Sequence, residues 1–88
     1  MKLATFTTTE DRVTWYQNEI EAIRNNGLKN AKEAYETALR GEGKESWMRL
    51  NNTTDEEMWN RHLGWMREQI EHLERKIRKY QREIAKNR

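Results

Sequence analysis

Two runs of apolar residues at helical spacing organise this chain. In the second half, Trp59, Leu63, Met66, Ile70, Leu73, Ile77, Tyr80 and Ile84 alternate spacings of four and three without a slip. That alternation holds a narrow stripe on one side of a helix, as a coiled-coil seam does. Leu63, Ile70, Ile77 and Ile84 occupy one heptad position, and Trp59, Met66, Leu73 and Tyr80 occupy the other. Thr54 and Glu57 have the spacing of a capping box just ahead of the stripe. With no Gly or Pro over residues 65–88, a helix is predicted over about 54–87.

In the first half, Thr7 and Glu10 form a similar start signal. Val13, Tyr16, Ile20, Ile23, Gly27, Ala31, Ala34 and Ala38 then stay on one face at about 100° per residue, and Leu28 and Tyr35 widen it. The pattern predicts one helix over about 8–40, kinked near Gly27, where Asn25-Asn26-Gly27 weakens it. The small residues at 27, 31, 34 and 38 would allow a close helix approach.

Gly41-Glu42-Gly43 ends this helix, with Gly41 as a left-handed cap. Residues 41–53 are expected to connect the helices, with a short helical turn over 44–50 whose Trp47, Met48 and Leu50 pack against them. Residues 1–7 are expected to be a flexible N-terminus. The fold class is therefore all-α: a single domain over 1–88, built as a long antiparallel helical hairpin. A lone hairpin leaves part of each stripe wet. Assembly into a coiled-coil or helical-bundle homo-oligomer is expected, with Leu63, Met66, Ile70, Leu73, Ile77, Tyr80 and Ile84 as its seam.

Composition strengthens the expectation of assembly. The 88 residues are 34% hydrophobic and 36% charged, and the mean hydropathy is −1.30. So small and polar a chain buries little core by itself. Cys and Pro are absent, which excludes disulfides, thiol catalysis and thiolate zinc sites. No apolar run approaches the ~18 residues of a membrane span. The first residues are too short and polar for a signal peptide, so a cytoplasmic location and no membrane partner are expected.

Charge is unevenly placed. Residues 1–57 hold eight Lys/Arg against eleven Asp/Glu, a net of −3, and residues 58–88 hold nine against four, a net of +5. Residues 75–88 alone carry seven basic residues against Glu83, a net of +6. Arg75, Arg78, Lys79, Arg82 and Lys86 fall outside the apolar seam, so they can meet an anionic partner while the seam stays buried. Cations at a helix C-terminus also suit the helix dipole and a solvated face.

Catalytic signatures are sparse. Ser46 is the only Ser and has no neighbouring His, and no phosphate-cradling glycine loop is present. His62 and His72 are ten positions apart, which sets them about 80° and ~15 Å apart on one helix. Neither a metal site nor a cofactor is expected. Arg67-Glu68-Gln69-Ile70-Glu71-His72 is similar to the short Arg…His motif of the HEPN family of helical ribonucleases. The resemblance covers six residues and departs from the family pattern at Glu68. It implies a nuclease in which Arg and His from two chains meet at a dimer interface.

Two tryptophans stand on nominally polar faces: Trp15, about 160° from the centre of the first stripe, and Trp65, outside the seam beside Gly64. Such a Trp packs against residues 44–50 or against another hairpin of the oligomer, or serves as a binding hot spot or a stacking platform for a base. Taken together, the residues favour a non-enzymatic regulator or inhibitor. It is expected to bind RNA, an anionic ligand or a nucleic-acid-handling protein through the basic C-terminal helix, with Trp15 and Trp65 as partner-binding aromatics. The alternatives are a structural coiled-coil module, a protein that sequesters an anionic nucleotide between subunits, and the HEPN-like ribonuclease.

Overall fold

The computed structural model describes residues 9–87. Thr7, with its predicted capping role, and the expected flexible N-terminus lie outside them. The described residues form an α-helical hairpin with no strand. The first arm is continuous: α1 (Thr9–Ala22), a π-helical turn (Ile23–Leu28) and α2 (Lys29–Leu39). A short α3 (Lys44–Leu50) follows, and α4 (Glu56–Lys86) returns as the second arm. The particle is elongated, 55 × 27 × 17 Å.

The break near Gly27 is a widened turn. In a plain α-helix in phase with Ile20, Gly27 would face the core and Leu28 would lie about 100° away. The π-turn adds one residue to the winding, so Leu28 is buried while Gly27 and Ala34 are exposed. Packing supplies the reason, since burying a Leu in place of a Gly gains ~1.5–3 kcal/mol. Beyond the turn the inward positions are Leu28, Ala31, Tyr35 and Ala38. Gly27 and Ala34 therefore leave the predicted stripe. A Cβ at Gly27 would lie 3.8 Å from Leu73 Cδ1, so the two arms do come close there.

The stripe of α4 faces the first arm of the same chain. Ile70 and Ile77 are buried together with Ile20 and Leu28, and Leu73, Tyr80, Ile84, Ile23, Ala31 and Tyr35 pack around them. Trp59 is also buried, and Leu63 and Met66 are half-buried. The seam expected between chains is thus used within one chain. The reason is proximity: the connection lets the first arm fold back and cover the stripe. The core is thin, with no side chain below 2% exposure among the described residues.

The connections show how local sequence sets the ends. Gly41, at φ 82°, is left-handed as expected. Its N–H donates to Ala38 O at 2.9 Å, and the Glu42 N–H donates to Thr37 O at 3.2 Å, a Schellman closure. At the start of α4 the cap is Asp55, one residue after the predicted Thr54. Asp55 Oδ1 accepts from the Glu57 N–H at 2.9 Å, and a carboxylate there also suits the helix dipole. Trp47 and Met48 of α3 are half-buried. Leu50, expected to tuck in, is 86% exposed, because it ends α3 where the chain turns away through Asn51 and Asn52.

Candidate functional site

The outward face of α4 carries the candidate site. Successive residues turn by about 100°, so Arg75, Lys79 and Arg82 project away from the buried Ile70 and Ile77. Together with His72 and Lys76 they line one shallow groove. Among the described residues no carboxylate lies within 4.0 Å of the cationic groups of Arg75, Lys79 or Arg82. Lys76 sits 5.9 Å from the centre of the Tyr80 ring, a cation–π arrangement that draws its ammonium towards the aromatic face.

The structure divides the five predicted cations. Arg75, Lys79 and Arg82 share the groove. Arg78 turns to the side of the hairpin and lines a different groove with Arg24, Leu28, Glu74, Ile77 and Gln81. Lys86 forms an ion pair with Glu83 at 3.3 Å. Sequence reasoning left out His72 and Lys76, although the spacing 72, 75, 76, 79 traces one helical face.

The two predicted partner-binding tryptophans differ. Trp15 is half-buried, its ring edge-on to Tyr16 at 5.1 Å and to Tyr80 at 5.9 Å. Tyr16 and Tyr80 also meet at 5.3 Å. Trp15 therefore takes part in the packing between the arms. The buried and half-buried residues of α1 are Val13, Trp15, Tyr16, Glu19 and Ile20, so Trp15 stands on the flank of the inward face and not on the opposite side that the longer stripe implied. Trp65 is 56% exposed, and its ring lies nearly parallel to His62, 6.1 Å away at 14°.

Behind Trp65 stands an aromatic column. His62 stacks on Trp47 of α3 at 4.8 Å and 23° and lies 5.5 Å from the buried Trp59. Trp47 meets Trp59 edge-on at 5.5 Å. The column gives Trp65 a fixed neighbour on one ring face. Trp59, His62 and Trp65 recur every three residues, which places them near one another on α4, but Trp47 is brought in only by the fold.

The arginines on either side of Trp65 in sequence are engaged. Arg61 pairs with Glu57 at 3.1 Å, and Arg67 approaches Glu71 at 4.0 Å. Arg67 and His72, the pair in the HEPN-like motif, point about 140° apart on the helix, and His72 lines the cationic groove. Among the described residues no three His, Asp or Glu gather where they could hold a metal ion. No described helix is long and apolar enough to cross a membrane.

No known protein family matches this chain, and neither a curated protein nor a solved structure matches it.

Proposed function

We propose that this chain is a small non-enzymatic helical protein that binds single-stranded RNA through the outward face of α4, as a regulator or inhibitor that works by occupying its partner. The observation that carries the reading is the alignment of Trp65 with the cationic groove. Trp65, His72 and Lys79 recur every seven residues and so lie along one line of the helix. Arg75 and Arg82 flank that line, and the span from Trp65 to Arg82 is about 25 Å. Unpaired cations beside an exposed aromatic ring are what a flexible polyanion with stackable bases requires.

Self-association belongs to the same proposal. The thin core and the exposed Leu39, Leu50 and Met58 support burial against a second copy, in the manner of small helical domains that gain stability by assembly. The RNA-binding test is fluorescence anisotropy with a labelled single-stranded RNA. Replacing Arg75, Lys79 and Arg82 by Gln should abolish salt-sensitive binding while far-UV circular dichroism stays unchanged. Equal affinity in the variant contradicts the reading.

A further inference from the structure

A second pair of cations faces another way. Arg24 on the π-turn and Arg78 on α4 come from opposite arms and line one groove whose apolar residues are Leu28 and Ile77. Glu74 and Gln81 border the same groove, and Arg24 continues into an adjoining one with Gln17 and Glu21. Glu74 stands four residues before Arg78, the arrangement in which a helical carboxylate ordinarily meets an arginine. Its carboxylate lies 3.8 Å from Lys32 Nζ instead. Among the described residues, neither Arg24 nor Arg78 has a carboxylate within ion-pair distance.

The groove thus sets two guanidinium groups against the single carboxylate of Glu74, which Lys32 also draws, and an anion between the arginines offsets their repulsion. A guanidinium presents a planar fork of donors that matches phosphate oxygens, and two from facing helices can hold one phosphate from two sides. The Gln81 amide adds a neutral donor on the same rim. π-turns recur at functional sites, and here one carries Arg24.

We propose that this groove between the arms binds a single phosphate ester through Arg24 and Arg78. It is separate from the outward groove of α4, so either site can fail without the other. By bridging the arms, a bound phosphate also ties the hairpin together.

The test follows the Nε–Hε resonances of the arginines in the full ¹⁵N-labelled chain during titration with inorganic phosphate, with ionic strength held by chloride. Arg24 and Arg78 should shift together and saturate with one constant. Arg24→Gln should weaken the response of Arg78 by about tenfold or more, the cost of a lost charge-assisted contact, and Arg78→Gln should do the same to Arg24. Arg82→Gln should leave both unchanged. Tighter binding of a nucleoside monophosphate than of inorganic phosphate assigns the site to a free ester, and tighter binding of a short RNA assigns it to the nucleic-acid backbone. The proposal is overturned by a non-saturating drift shared by all arginines, or by an Arg78 response that survives Arg24→Gln.

Discussion

Trp65 and Trp15 are both indoles on helix flanks, and their surroundings assign them different work. Trp65 is open to solvent beside His62, whereas Trp15 is held against Tyr16 and Tyr80. Trp65→Ala should lower RNA affinity by ~1–3 kcal/mol, the usual cost of a lost stacking platform, and leave the melting temperature nearly unmoved. Trp15→Ala should do the reverse. It removes edge-on ring contacts worth ~0.5–1.5 kcal/mol beyond their buried area, so it should lower the urea midpoint and spare affinity. Anisotropy and urea melts on both variants check the contrast, and a loss of affinity for Trp15→Ala alone contradicts it. The difference was invisible in periodicity, because the longer stripe set Trp15 opposite the inward face of α1. The cationic face was more legible, because spacing places Arg75, Lys79 and Arg82 opposite the Ile70 and Ile77 side. Arg78 also falls outside the seam, but it follows Ile77 by one residue and so stands only about 100° from the buried side, which turns it to the flank of the hairpin.

The first arm depends on its π-turn at Ile23–Leu28. If the extra residue is a register correction, deleting Asn26 should convert the turn to plain α-helix and keep Leu28, Ala31, Tyr35 and Ala38 facing α4. The deletion should preserve helicity and leave the urea midpoint unchanged or higher. Deleting Asn18 instead should rotate one part of the stripe by about 100° against the other and unfold the hairpin. Equal damage from the two deletions contradicts this account of the turn. The sequence displays the strong seam of α4 because eight large residues repeat without a slip. In the first arm the repeat runs through Gly and Ala, whose small side chains fit either of two registers. Only the fixed stripe of α4 decides between them, by favouring Leu28 over Gly27.

Considered whole, the molecule is a thin hairpin with a charged exterior. The seam of α4 is spent within the chain, so assembly, if it supplies the missing burial, uses the outer apolar residues. The melting temperature should then rise with protein concentration. Ile77→Asp, which puts a charge beside Ile20, Leu28 and Ile70, should unfold the chain at any concentration. Leu39→Ser and Met58→Ser should remove the concentration dependence and leave a folded monomer by light scattering. A melting temperature independent of concentration in the parent chain contradicts self-association and leaves the RNA reading to stand by itself. That reading is tested most directly by the salt dependence of RNA affinity, measured by anisotropy for the parent chain and for the Arg75→Gln, Lys79→Gln, Arg82→Gln variant. Each phosphate contact on a single strand contributes ~0.7 to the slope of log K against log salt. The parent should show a steep slope that the triple variant flattens by about two units. A parent slope near zero, or the same slope in both proteins, would contradict RNA binding through the outward face of α4.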